Sequence, residues 1–579
     1  MALKFPKQYI LELIVGAAQR LLTQENQVFN FNPDAVHFVI ESKDNPVFGD
    51  YSSNACFVLA KITGKSPLEI AEKIKVFIEA QTPEYIERIE IAGNGFLNFY
   101  LTNDFCNSWL GKIAKLSSKN FASSKKEKVI IEYSSPNVAK PMHVGHIRNT
   151  ILGSSLANLY EFVGHKVTRW NHLGDWGTQF GKLITAYKKW GDKKAVDKNP
   201  IGELLELYIR FHKELDKYPE LEKQAQEEFK KLEQGDKTNK SLLAWILKES
   251  LKDFNRLYSL FGAKFDKTIG ESFYAPMTDK IIADLKNQKL LEPSEGAWII
   301  KLDAFGLPPA LIQKTDGATL YLTREIASLY YRLSKFNPDK ILYIVGSEQS
   351  LHFQQLFAIA KLLNLSKTRL EHVKYELVLG PDGKKFSTRE GNIIAAQAIV
   401  DTIIQTAQKV VDEKRSDVSE KEKNVIAKTV GINALIYSML NESRMTDIVF
   451  NPEAMLSFKG NSATYLNYTY ARLSNIVAKA GRIGKINTAL LEKSDLDLVK
   501  KLLSFADRID ISITDSSPHH IAQYLLELAN IANTYYEKTP IIKDEVKERK
   551  NARLTLIKDI LHIMELGSKI LGIKMIERI

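Results

Sequence analysis

A strand, a turn, a helix and a second strand follow one another between residues 129 and 171. Val129, Ile130 and Ile131 form a short continuous apolar run, as in a strand buried on both faces. The turn SSPNVAKPM follows, and HKVTRWN predicts the second strand. Between them, apolar residues at steps of three and four predict a helix with one apolar face that ends near Gly164: Ile147, Ile151, Leu152, Leu156, Leu159 and Val163. This βαβ unit predicts a parallel sheet with a ligand at the carboxyl ends of its strands.

Several domains are expected, because 579 residues exceed what one hydrophobic core supports. The polar, serine-rich stretch KLSSKNFASSKKEK has too few apolar residues to order itself by burial and predicts a linker. The patterns predict a small α+β N-terminal domain at 1–122, an α/β domain at 123–394 with a charged helical insertion at about 190–300, a helical connector at 395–450, and an all-helical domain at 451–579.

Charge and cysteine content narrow the class of protein. Lysine and arginine exceed aspartate and glutamate by 80 to 69, which favours an anionic partner such as nucleic acid but also fits a solvated lysine-rich surface. No apolar run approaches the ~20 residues of a bilayer span, so no membrane association is predicted. Cys56 and Cys106 are the only cysteines and form no CxxC, so neither a disulfide framework nor a structural zinc site is expected. A cytoplasmic protein is predicted.

The segment HVGH, at the first strand-to-helix turn, is a candidate nucleotide site. Neither GxxxxGK[ST] nor GxGxxG after a strand occurs in the sequence. His143 and His146 stand where imidazoles and helix-end N–H groups can face phosphates, and Gly145 permits close approach of the nucleotide. A zinc pair is the alternative, but no third ligand lies nearby.

A second candidate is the loop GPDGKKFSTREGN, which follows the apolar strand YELVLG. Its lysines and hydroxyls suit the charge neutralisation that transfer at the α-phosphate of ATP requires. A solvated basic turn is the alternative. The position of the loop in the second α/β half, about 240 residues after HVGH, favours the nucleotide interpretation.

HVGH and KFSTR resemble the two signatures of class I aminoacyl-tRNA synthetases. EYSSPNVAKPMHVGHIRNTILG and NHLGDWGTQFGKL resemble the arginyl-tRNA synthetase versions, and further matching segments run in order through nearly the whole chain: FGDYSSN, GESFY, YLTREIA, GSEQSLHF and YLNYTYARLSNI. The resemblance implies a multidomain enzyme with an N-terminal domain at the tRNA elbow, a Rossmann-like catalytic domain and an α-helical anticodon-binding domain.

The resemblance also implies roles for individual residues. Asn137 would meet the α-amino group or carboxylate of arginine. Glu271 and Glu325 would bind the guanidinium, whose fixed N–H donors are best matched by carboxylates, with Tyr321 and Gln349 beside them. The catalytic residues would be His143, His146, Lys140 and Lys385; the ATP ligands His143, Gly145, His146, Lys385 and Ser387; and the tRNA contacts Phe48, Tyr51, Tyr465 and Tyr468. A buried turn is the alternative for Phe48 and Tyr51.

Four positions depart from the family pattern. Glu325 stands where aspartate is more usual, which moves the carboxylate outward by one methylene. Phe386 replaces the methionine of the second signature, and Thr388 with Arg389 replaces its Lys-Ser ending. Lys385 and Lys140 are therefore the expected phosphate lysines.

The predicted reaction is ATP-dependent formation of arginyl-adenylate and transfer to the 3′-terminal adenosine of tRNA(Arg), with release of pyrophosphate and AMP. Mg²⁺ is expected to accompany ATP, and a monomer is expected. The alternatives are a synthetase for another amino acid, a nucleotidylyltransferase acting on a small metabolite, and a catalytically inactive tRNA-binding relative.

Overall fold

The computed structural model describes residues 4–24, 38–43, 46–315, 317, 319–365, 367–385, 395–458 and 460–577. No helix within these ranges is long and apolar enough to cross a membrane. Cys56 and Cys106 are buried free thiols.

The N-terminal part is a four-stranded antiparallel sheet packed against helices. The strand order is β1-β2-β4-β3. The stretch RIEIAGNGFLNFYLT forms a hairpin, because Gly93 and Gly95 have positive φ at the turn between β3 and β4. The elements are α1 (Pro6–Gln24), β1 (Ile40–Ser42), β2 (Tyr51–Ser53), α2 (Ala55–Thr63), α3 (Pro67–Glu79), β3 (Ile86–Ala92), β4 (Phe96–Leu101) and α4 (Asn103–Trp109).

The expected linker differs from the prediction because it is packed against neighbouring elements. Short 3₁₀ turns span Ile113–Lys115 and Ser118–Phe121. The ring of Phe121 lies 5.2 Å from that of Phe5 and 5.6 Å from that of Phe505. A few apolar side chains therefore anchor a stretch whose average composition predicts little order.

The central part is built on a five-stranded parallel sheet with the order β12-β11-β5-β6-β7. Its first half comprises β5 (Lys128–Glu132), α5 (Val144–Phe162), β6 (Lys166–Leu173), α6 (Thr178–Trp190), α7 (Lys193–Lys198), α8 (Pro200–Leu215), α9 (Glu220–Glu233), α10 (Lys237–Phe261) and β7 (Lys267–Gly270). Within the range expected to be a helical insertion, β7 pairs in parallel with β6. The charged helices α7 to α10 thus leave the sheet after α6 and return to it at β7.

The second half of the central part adds a small antiparallel sheet and two further strands of the parallel sheet. Its elements are α11 (Thr278–Asn287), β8 (Glu292–Ser294), β9 (Ala297–Ile300), β10 (Ala310–Gln313), α12 (Tyr321–Phe336), β11 (Lys340–Gly346), α13 (Ser350–Leu362), β12 (Arg369–Tyr375) and β13 (Val378–Leu379). Because β5 and β11 are central neighbours, their carboxyl ends open into one crevice.

Helices form the rest of the chain. They are α14 (Ala396–Lys414), α15 (Glu420–Leu440), α16 (Pro452–Met455), α17 (Ala463–Ala480), α18 (Lys493–Leu503), α19 (Phe505–Thr514), α20 (His519–Lys538) and α21 (Lys547–Leu571), with β14 (Ile448–Val449) pairing with β13. Contacts of α5 with α14, α15 and α21 explain why this helix is buried on nearly all sides rather than on the one face expected. Gly153 permits its close approach to β5, since a Cβ there would lie 2.2 Å from the Cβ of Tyr133.

Candidate active site

A cavity of about 750 Å³ lies at the carboxyl ends of β5, β6 and β11. Eight of the predicted site residues line it: Asn137, His143, Gly145, His146, Glu271, Tyr321, Gln349 and Lys385. Residues that are more than 240 positions apart in the chain therefore meet at one opening, as the βαβ topology predicts.

The HVGH turn forms the N-terminus of α5 and fixes the orientation of both imidazoles. His143 is the N-cap, and its Nδ1 accepts from the N–H of Gly145 at 3.1 Å. The Nδ1 of His146 accepts from the N–H of His143 at 3.1 Å. Burial lowers the pKa of both histidines, and for His146 the neighbouring His143 lowers it further. The neutral rings therefore carry their protons on Nε2 and can donate to an anion at the helix N-terminus.

The predicted phosphate lysines occupy different surroundings. The Nζ of Lys385 lies 2.6 Å from Oε1 of Glu348 at the cavity rim. The ammonium of Lys140 lies 4.8 Å from the ring centre of Tyr208 in α8, away from the residues that line the cavity, and burial lowers its pKa. The predicted ligand Ser387 lies outside the described residues, as do Phe386, Thr388 and Arg389.

Asn137 and Gln349 both line the cavity. The backbone of Asn137 forms a parallel bridge with Gly174, where a Cβ would lie 2.3 Å from Oδ1 of Asn137. Gln349 ends the turn between β11 and α13. Both residues therefore adjoin the space that a ligand in the cavity would occupy.

The two carboxylates predicted to bind a guanidinium differ in the partners that the protein itself provides for them. Glu271 accepts from Nε of Arg324 at 2.8 Å, and its pKa is raised by burial while Arg324 opposes this rise. Glu325 is 2% exposed, and its Oε1 lies 3.5 Å from Nε2 of His172. Burial raises the pKa of Glu325 and His172 opposes this rise. Glu325 is thus the carboxylate without an internal guanidinium partner among the described residues, and Tyr321 lies beside it.

A third carboxylate, Glu132, was not predicted. It is the last residue of β5, lines the cavity and is 4% exposed. Arg332, which is fully buried in α12, forms an ion pair with it. The available sequence signal was a glutamate that ends the apolar run VIIE directly before the nucleotide turn, because polar residues at strand carboxyl ends face the ligand crevice.

The aromatic residues predicted to contact tRNA differ in how far their rings are exposed to solvent. Phe48 is 49% exposed and Tyr468 is 44% exposed. The ring of Tyr51 is buried, and its hydroxyl donates to Asp507 of α19 at 2.9 Å. Tyr465 is half-buried and accepts from Asn533 at 3.0 Å. Burial of Tyr51 favours the alternative of a buried turn for that residue.

Among the described residues, no group of three or more histidine, cysteine, aspartate or glutamate side chains is arranged to hold a metal ion. A Mg²⁺ ion that enters with a nucleotide does not require such a group, because it usually keeps several waters and binds through the phosphates.

Comparisons with known proteins agree with this architecture. Three family models match: "Arginyl tRNA synthetase N terminal domain" at residues 9–101, "tRNA synthetases class I (R), catalytic domain" at 112–452, and "DALR anticodon binding domain" at 466–579. An arginine–tRNA ligase of Halothermothrix orenii is 38% identical over 96% of this chain and 98% of its own length, and one of Clostridioides difficile is 37% identical over the same shares. The arginyl-tRNA synthetase of Thermus thermophilus superposes with a TM-score of 0.84 at 24% identity, over 99% of this chain and 100% of that chain.

Proposed function

The chain belongs to the class I arginyl-tRNA synthetase family, and we propose that it activates L-arginine with ATP and transfers the arginyl group to the 3′-terminal adenosine of tRNA(Arg). One observation carries this proposal: a single cavity combines a helix N-terminus bearing two neutral imidazoles with the buried carboxylates of Glu132 and Glu271 in its lining. The first feature suits a polyphosphate, and the second suits a guanidinium.

In the activation step, the carboxylate of arginine attacks the α-phosphorus of ATP, and the bond to pyrophosphate breaks. The Nε2–H groups of His143 and His146 would donate to the phosphates, and Lys385 would leave Glu348 to bind them. Gly145 and Ser387 complete the proposed ATP site, whereas Lys140 would have to leave Tyr208 to reach it. Mg²⁺ would enter with ATP and neutralise phosphate charge.

Recognition of the amino acid would divide between the two ends of the substrate. Asn137 and Gln349 are proposed to hold the α-amino and carboxylate groups. Glu325 and Glu132 are proposed to receive the guanidinium beside Tyr321. Glu271, which was predicted for the guanidinium, is proposed to act at the rim because Arg324 already occupies it.

In the transfer step, a terminal ribose hydroxyl of tRNA attacks the carbonyl carbon of the adenylate, and AMP leaves. We propose that the N-terminal domain contacts the tRNA elbow and that the helices within 451–579 contact the anticodon. Phe48 and Tyr468 offer exposed rings on which a base can stack. A monomeric state and a cytoplasmic location remain predictions.

The test is aminoacylation of unfractionated tRNA by the purified chain with ATP and Mg²⁺. Labelled arginine is compared with lysine, glutamate, glutamine and cysteine. Charging with arginine alone is the expected result. No arginine charging in the presence of verified tRNA(Arg) would overturn the proposal.

A further inference from the structure

A row of buried polar groups links Glu132, which lines the cavity, to Glu325, which is buried and is not among the residues that line it. The Nη2 of Arg332 pairs with Glu132 and lies 3.3 Å from Nδ1 of His172 in β6. The Nε2 of His172 lies 3.5 Å from Oε1 of Glu325. Arg332 and Glu325 are seven residues apart in α12, so both project from one face of that helix. The order Glu132, Arg332, His172, Glu325 therefore runs beneath the cavity from one carboxylate to the other.

Arg332 determines which nitrogen of His172 carries the proton. A guanidinium in a protein is protonated and can only donate, so the Nδ1 that faces it must accept. The other ring nitrogen, Nε2, is then the one that can donate, and it lies on the side of Glu325. Tyr274 stacks on the ring with 5.7 Å between centroids and an interplanar angle of 11°, which holds the ring plane.

The cluster holds two buried carboxylates, Glu132 and Glu325, but one guanidinium, Arg332, and that guanidinium pairs with Glu132. Neither Oε2 of Glu325 nor Nε2 of His172 makes a hydrogen bond of normal geometry within the described part of the chain. Since buried polar atoms are normally paired, a cationic ligand is expected to complete the cluster.

We propose that Arg332 and His172 are positioning residues for arginine specificity. Arg332 pairs with Glu132 and faces Nδ1 of His172, so one internal guanidinium holds both side chains. His172 in turn places Nε2 at 3.5 Å from Oε1 of Glu325, without a hydrogen bond, beside the proposed site for the guanidinium of the substrate. This inference rests on the proposed function.

Three variants test this relay, by which we mean the contacts that run from Arg332 through His172 to Glu325. Arg332→Lys keeps the charge but loses the planar group that reaches both partners. His172→Phe keeps a ring against Tyr274 and loses both nitrogens, whereas His172→Gln restores one acceptor and one donor. Arg332→Lys and His172→Phe are expected to raise the KM for arginine at least about tenfold, the loss of one charge-assisted hydrogen bond. The KM for ATP is expected to stay within about twofold, and His172→Gln is expected to recover most of the arginine KM.

The matched control is Arg553→Lys. Arg553 is equally buried in α21 and pairs with Asp495 at 3.2 Å and Asp544 at 2.9 Å, far from the cavity lining. This variant reports the general cost of replacing a buried arginine and is expected to leave the arginine KM unchanged. If Arg332→Lys does not fold in a thermal-melting assay, the arginine KM values of His172→Phe and His172→Gln decide whether the relay exists.

An arginine KM within twofold of wild type in folded Arg332→Lys and His172→Phe would overturn the relay, as would an equal rise in Arg553→Lys. If the wild-type chain charges tRNA with arginine but the arginine KM does not distinguish Arg332→Lys and His172→Phe from wild type or from Arg553→Lys, only the relay fails. If the wild-type chain does not charge arginine, the proposed function fails and the relay fails with it.

Discussion

Replacing Glu325 with glutamine is expected to weaken arginine binding without weakening the fold. The carboxylate is almost fully buried, and its Oε1 lies at the long distance of 3.5 Å from Nε2 of His172. In the free protein this negative charge is therefore costly, and a nearly isosteric amide removes the cost. In the complex the amide forfeits a charge-assisted hydrogen bond worth about 1.5–3 kcal/mol. The KM for arginine should then rise roughly 10- to 150-fold.

Glu271→Gln provides the matched comparison. Its carboxylate already accepts from Arg324 at 2.8 Å, so the substitution leaves a nearly buried guanidinium without a charged partner. We expect Glu271→Gln to lower the melting temperature more than Glu325→Gln and to raise the arginine KM less. Initial rates of tRNA charging at varied arginine, together with thermal melting, separate the two effects. An arginine KM within twofold of wild type for Glu325→Gln would refute the reasoning, and so would the reverse order of melting temperatures.

Three further predictions concern the nucleotide site, the packing of α5 and the contact between domains. His146→Ala is expected to lower kcat for charging about 10²- to 10³-fold, because it removes a preorganised donor to the phosphates; a loss below about fivefold would contradict this. Gly153→Ala forces a Cβ to within 2.2 Å of Tyr133 and should cost about 1–3 kcal/mol or more in urea unfolding, whereas an unchanged midpoint would show that α5 can shift. Burial raises the pKa of Asp507, which accepts from Tyr51, to about 7, so the folded state holds a proton that the unfolded state has already released. The free energy of unfolding of the wild type therefore decreases as the pH rises from about 4 to 7. Asp507 contributes at most ~4 kcal/mol to this decrease. Asp507→Asn lacks this pH-dependent decrease, so its melting temperature should exceed that of the wild type at pH 8 but not at pH 5. An equal difference in melting temperature at both pH values would argue against a raised pKa at Asp507.

The sequence predicted elements whose signals are local and missed those that depend on distant partners. The apolar run of β5 and the apolar spacing of α5 are short-range patterns, and both elements are present. In contrast, β7 has only four residues and no buried run, and it becomes a strand because β6 pairs with it. Glu132 likewise has nothing distinctive in sequence beyond its place at the end of a strand. Its importance comes from Arg332, which lies 200 residues later in the chain.

The same dependence on distant partners explains why Glu271 and Glu325 could not be distinguished before the fold was known. Arg324 and Glu325 are adjacent in α12, yet successive helical side chains point in different directions. Arg324 therefore reaches Glu271, which lines the cavity, while Glu325 lies beside His172 and is not among the lining residues. Glu132 has Arg332 as its counter-ion, whereas Glu325 has no guanidinium partner of its own in the part of the chain that the structure describes. Selection of a cationic side chain over a neutral one of the same shape should consequently depend more on Glu325 than on the other two carboxylates.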